Sequence, residues 1–143
     1  VVYPLVDVLK SNVSDEINAE IVEFLSDLKD TSVKQDIISI LNDDDYISVR
    51  QQLLTSIWNC KIDYSEYIAD FVGIACESNF MEAFECLTVL ENLEGPFEER
   101  HILECQLHLK EYIESNKAVD EQKSHVMSEI AQLIKSFDLD TDD

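Results

Sequence analysis

Glycine and proline are nearly missing, with two of each in 143 residues. Sheet proteins rely on these residues at their turns, so neither an all-β fold nor a doubly wound α/β fold is expected. So few glycines also leave no material for a phosphate-cradling loop, and no P-loop, dinucleotide fingerprint, HExxH or GxSxG pattern occurs. Cations are scarce as well. Ten Lys and Arg face 31 Asp and Glu, for a formal net charge of −21, and the ten are scattered singly. Nucleic-acid binding needs a basic surface, and an anionic membrane repels an acidic one, so neither partner is expected. No apolar run is longer than six residues, far short of the roughly 20 that a membrane span requires. Cys60, Cys76, Cys86 and Cys105 form no CxxC pair. Their irregular spacing inside apolar helical patterns reads as small hydrophobes rather than a disulfide framework. A reducing, cytoplasmic compartment is the matching expectation.

What the chain does have is apolar content, 45% of residues, arranged with helical periodicity. The pattern predicts helices over residues 3–11, 15–28, 32–41, 45–60, 64–77, 80–93, 97–115 and 119–137. In the second of these, Ile17, Ile21, Val22, Phe24, Leu25 and Leu28 recur at helical spacing. Gly95-Pro96 breaks the chain, with Pro suited to the first turn of the helix that follows. Short links between helices imply antiparallel neighbours. Asn12, Asp44 and Ser78 fill matching turn positions, and these residue types accept hydrogen bonds from free amides at a helix start. Asn79 and Glu82 add a capping-box pattern. Gly73 stands mid-helix, where glycine costs about 1 kcal/mol against alanine, and marks a close approach between helices.

The helices repeat in pairs. Leu5-Val6-Asp7-Val8-Leu9 overlays Ile37-Ile38-Ser39-Ile40-Leu41 at an offset of 32, and Phe71-Val72-Gly73-Ile74-Ala75 follows at 34. Among the second helices, Ile21, Val22, Leu25 and Leu28 overlay Leu53, Leu54, Ile57 and Cys60 at 32, and Cys86, Leu87, Leu90 and Leu93 follow at 33. A helical repeat array explains one period shared by both registers. The unit at 33–61, VKQDIISILNDDDYISVRQQLLTSIWNCK, resembles a HEAT repeat: Asp44 in the turn is followed by Val49 and Arg50 at the spacing of that family. The resemblance, over roughly 1–94, implies an armadillo-type α-solenoid whose second helices line a concave, partner-binding face. It also implies an Asp–Arg ladder between repeats, although Asn18 and Ala83 stand at the positions matching Arg50. A plainer reading makes Asp44 a helix cap and Arg50 a neutraliser of Asp43, Asp44 or Asp45. The expected fold is therefore all-α, an α-α superhelix of about four antiparallel helix pairs over 1–143. A longer capping pair occupies 96–137 and an acidic tail 138–143.

Function is read from the faces of the second helices. Glu16, Glu20, Glu23 and Asp27 recur on one face of the first, Gln52, Thr55 and Asn59 stand on the next, and Glu85 and Glu91 on the third. The expectation is a non-catalytic interaction or scaffold module with no cofactor. It would bind a basic protein or peptide through Glu20, Glu23, Asp27, Gln52, Thr55, Asn59, Glu85 and Glu91, steered by charge. An acidic inhibitor masking a basic enzyme, as immunity proteins do, is an alternative use of the same charge. Metal binding by His101, Cys105 and His108 at i, i+4 and i+7 is another, set against Cys105 lying within the apolar stripe and both histidines on its edge. Trp58, Tyr46, Tyr64, Tyr67, Phe71, Phe80 and Phe84 read mostly as core. The final Asp138-Leu-Asp140-Thr-Asp142-Asp143 looks like half a calcium loop, but reads more simply as a frayed acidic tail.

Overall fold

A computed structural model of the chain describes residues 2–28, 31–60, 62–115 and 120–141. Among the described residues there are eight α-helices and no strand. No helix among them is long and apolar enough to cross a membrane. The chain divides into two compact units, Val1–Ile62 and Asp63–Asp143.

The first unit holds α1 (Val2–Ser11), α2 (Asp15–Ser26), α3 (Lys34–Leu41) and α4 (Arg50–Asn59). Val6, Leu9, Leu25, Ile40, Leu53 and Leu54 fill its core, at the spacings that place them on one side of each helix. The most extensive packing is α2 against α4, and α1 also meets α2 and α3. Helix ends differ from the expected caps by one or two residues. Asn12 ends α1: its φ of 53° is the left-handed conformation that Asn tolerates, and its N–H donates to the Leu9 carbonyl at 3.1 Å. The cap of α2 is Ser14, whose backbone is extended and whose Oγ accepts the Ile17 N–H at 3.1 Å. Asp43, not Asp44, caps the next turn, accepting the Asp45 N–H at 3.0 Å. A cap must lie on extended backbone to present its side chain to the free amides. Asp43 is extended, whereas Asp44 is already inside the turn.

The helix expected over 45–60 also starts later. Asp44–Val49 forms a 3₁₀ segment interrupted at Tyr46, with φ −112° and ψ 15°, before α4 begins at Arg50. A tertiary tie accounts for this: the Tyr46 hydroxyl donates to Asp7 Oδ1 on α1 at 2.7 Å, and Lys10 lies 5.1 Å over the same ring. Val49 and Arg50 of the HEAT-like motif are both buried.

The second unit holds α5 (Ile68–Glu77), α6 (Phe80–Glu91), α7 (Glu99–Ser115) and α8 (Glu121–Thr141). Helix α5 is its centre, packed on α6 and α7, while α8 packs on α6 and α7. Ile68, Phe71, Ile74, Leu90, Ile102 and Ile130 are fully enclosed. Ser78 turns out to be the C-cap of α5, donating its N–H to the Ile74 carbonyl at 3.0 Å. Asn79 is the cap of α6, accepting the Glu82 N–H at 3.0 Å. Lys123 reaches from α8 to the C-terminal end of α5. Its ammonium donates to the Cys76 carbonyl at 2.9 Å and to the Ser78 carbonyl, complementing the negative end of the helix dipole.

Pro96 does not open α7. Gly95 sits at φ +76°, a conformation glycine adopts without a Cβ penalty, and its N–H donates to Ser65 Oγ at 3.0 Å. Phe97 stacks on Phe137 at 4.2 Å, so the helix starts only at Glu99. Residues 138–141, expected as a frayed tail, continue α8, since no Gly or Pro interrupts them. A helical backbone there cannot wrap a calcium ion as a loop does. Asp142 and Asp143 of that motif, and the expected start of α8 at Val119, lie outside the described residues.

The close approach expected at Gly73 is present. The imidazole of His108 on α7 lies against it, and a Cβ built there would meet His108 Nε2 at 3.4 Å. That is ordinary van der Waals contact, so the position admits a methyl group. Gly73→Ala is expected to stabilise the protein by about 0.5–1 kcal/mol through helix propensity and reduced unfolded-state entropy. Thermal unfolding followed by circular dichroism measures this; a lowered midpoint would mean that His108 cannot yield.

Candidate binding cleft

The acidic face of the first unit leads into a cleft of about 640 Å³ bordered by α2 and α4. From α2, Asp15, Asn18, Ala19, Val22, Glu23 and Ser26 line it, with Asp27 at the helix end. These recur at the i, i+3, i+4, i+7 spacing of one helix face. Gln52 and Asn59 close it from α4. Among the described residues the lining holds three carboxylates and no Lys or Arg. The last turn of α2 likewise contains no basic residue. Glu23 and Asp27 thus add negative charge where the helix dipole is already negative.

Four of the eight expected binding residues meet here: Glu23, Asp27, Gln52 and Asn59. Glu20 does not line the cleft. It is two residues from both Asn18 and Val22, a rotation of about 200° around the helix. Thr55 does not line it either, and its Oγ1 donates back to the Gln51 carbonyl at 3.1 Å. Glu85, half-buried, and Glu91, exposed, belong to α6 of the second unit.

Asp15, Asn18 and Ser26 are additions that the charge pattern alone does not supply. Asn18 is the informative one. It is only 7% exposed, and its Nδ2 donates to Asn12 Oδ1 at 2.7 Å. Its Oδ1 is buried with no hydrogen-bond partner. A buried acceptor left unpaired costs about 1–3 kcal/mol, and such exceptions among native groups call for an explanation.

The histidine and cysteine cluster on α7 builds no comparable site. Among the described residues no three His, Cys, Asp or Glu side chains group to hold a metal ion. Cys105 is enclosed in the core with Ile102 and Leu109, and burial pushes its thiol up to about 12, whereas a metal ligand must be a thiolate. His108 is packed on Gly73. None of the four cysteines is in a disulfide. Comparison with family models, with curated proteins and with solved structures finds no match to this chain.

Proposed function

We propose that the chain is a non-catalytic, HEAT-like helical interaction module that holds a basic segment of a protein partner in the α2/α4 cleft. The observation that carries this reading is the acidic lining of that cleft, with Asp15, Glu23 and Asp27 bordering about 640 Å³ and no cation among the described residues. A cleft of that size takes a few peptide residues, and its charge selects the sign of the partner. The order of helix packing supports the repeat reading. Helix α2 packs on α4 and α1 on α3 in one unit, α5 on α7 and α6 on α8 in the other. Equivalent helices stack in this order in solenoids. Cysteines outside disulfides, two buried and two half-buried, suit a reducing, cytoplasmic setting.

The test is binding of a fluorescein-labelled basic dodecapeptide, followed by anisotropy. The double variant Glu23→Lys/Asp27→Lys is expected to weaken it about tenfold or more, equivalent to about 1.4 kcal/mol per factor of ten, with helical circular dichroism unchanged. Affinity should fall with added salt. Binding no tighter than that of a neutral peptide, or binding indifferent to the double reversal, would remove the proposal.

A further inference from the structure

We infer that the outer face of the first helix pair, the side of α1 and α2 turned away from α3 and α4, docks an amphipathic helix of a partner protein that carries a basic residue in the middle of its apolar stripe. On α2 the cleft-lining residues mark the side toward α4. Ile17 is two residues from Asp15 and Ala19 of that lining, and Phe24 is two from Val22 and Ser26, a rotation of about 200°. Both side chains are open to solvent, at 38% and 48% exposure. On α1, Asp7 and Lys10 meet Tyr46 in the segment that leads into α4. Leu5 and Val8 stand two residues from Asp7 and Lys10 and so face the other way; Leu5 is half-buried and Val8 exposed. Because α1 packs on α2 and α3, and α2 on α4, these two sides form one face. Apolar groups gathered in this way, rather than scattered singly, mark a binding surface. Glu20 decides what covers it. This exposed carboxylate stands between Ile17 and Phe24 at i, i+3 and i+7, on one line of the helix, and α2 contains no Lys or Arg. An apolar partner that covers Ile17 and Phe24 strips water from Glu20, which is costly unless it brings a cation there. A second copy docked through the same face brings another carboxylate instead, on a chain of net charge −21. A helix with apolar side chains three or four residues on either side of a Lys or Arg supplies both needs at the right spacing. The long stem of that cation lies along the apolar surface while its head meets Glu20. This face is separate from the α2/α4 cleft, so docking here is independent of binding there.

The probe is a fluorescein-labelled, stapled helix of about 18 residues, since an unstapled helix of that length is marginal in water. It carries a Leu stripe with Arg at its centre. One companion peptide has that Arg moved to the polar face, which keeps its charge, and another has Glu at the centre. Anisotropy titrations against the intact chain are expected to show the central-Arg peptide binding about tenfold more tightly than the displaced-Arg one. Ile17→Ser/Phe24→Ser should weaken it by a similar factor with helical circular dichroism unchanged. Glu20→Arg should reverse the preference in favour of the central-Glu peptide, and this exposed position keeps the test valid if the double serine variant does not fold. Glu23→Lys/Asp27→Lys, which addresses the cleft, should leave the preference for central Arg in place. Equal binding of the central and displaced Arg peptides, or a preference indifferent to Glu20→Arg, overturns the inference. So does a dimer in analytical ultracentrifugation that Phe24→Ser disperses, which gives the face to a second copy, or binding to phosphatidylcholine vesicles that Phe24→Ser abolishes, which gives it to lipid.

Discussion

Phe71→Ala is expected to lower the stability of the unit Asp63–Asp143 by about 3–5 kcal/mol, the range for removing a large aromatic from a closed core. Phe71 is 0% exposed. It lies on α5, the helix that packs on both α6 and α7, and it meets Tyr64 edge-on at 6.2 Å. Removing the ring loses its transfer free energy and leaves a cavity that three helices cannot all close at once. Such a loss is a large part of the roughly 5–15 kcal/mol that holds a typical domain. Phe84→Ala is the matched control. That ring is 49% exposed and meets Phe80 in a tilted contact at 6.1 Å, so its removal should cost about 1 kcal/mol or less. Urea denaturation followed by far-ultraviolet circular dichroism gives both numbers, and hydrogen exchange locates the loss. Equal effects of the two substitutions would contradict the burial difference.

These two phenylalanines also mark what sequence reasoning can resolve. Both lie in strongly apolar helical stretches, and both read as core from the sequence. Periodicity identifies a helix and its apolar phase because these are local properties. It does not say which neighbours arrive to cover each position. The same limit explains the late start of α4. Tyr46 leaves helical geometry while bonded to Asp7, 39 residues earlier, and no window around residue 46 contains that partner. The cap shifts for a different reason. Asn42-Asp43-Asp44-Asp45 offers four good capping residues in a row, and only backbone geometry chooses Asp43. The division after Ile62 has no sequence signal either, since no Gly or Pro stands nearby.

The cleft is half legible in the sequence. Glu23, Asp27, Gln52 and Asn59 can be found because solvent-facing polar residues on repeated helices fall at predictable spacing. Glu20 satisfies the same pattern and is excluded by rotation around α2. Asn18 is hidden because its place in the register is that of Arg50, a position with a structural reading. Both are buried, Asn18 in α2 and Arg50 at the start of α4. What the register cannot show is that the shorter side chain at 18 keeps a buried, unpaired oxygen.

The largest effect of pH is expected on the alkaline side, and it comes from thiols. Burial, with Glu104 adding to it, raises the Cys105 thiol from 9.0 to about 12. Burial likewise raises Cys76 from 9.0 to about 11. A thiol whose folded pKa lies above its unfolded value contributes fully below about pH 9, where it is protonated in both states. Above that, the unfolded chain sheds protons that the folded chain retains, so unfolding becomes steadily more favourable as pH rises. The loss continues until the folded thiols themselves ionise, near 11 for Cys76 and 12 for Cys105. A tenfold change in proton affinity corresponds to about 1.4 kcal/mol, so Cys105 alone accounts for a decline on the order of 4 kcal/mol across this window. Cys76 is only half-buried and, discounted for solvent screening, adds on the order of 1 kcal/mol. Lys123 acts in the opposite sense. Burial lowers its pKa, so the folded state loses that proton first and gains stability as pH rises toward the usual lysine range. The thiol effect is larger, and the net slope is downward. Urea midpoints measured from about pH 7 to about pH 11 test this, with Cys105→Ala as the decisive variant. It should be less stable at neutral pH, because a buried sulfur is lost, and yet show a shallower alkaline decline. An unchanged slope in Cys105→Ala would transfer the effect to other groups.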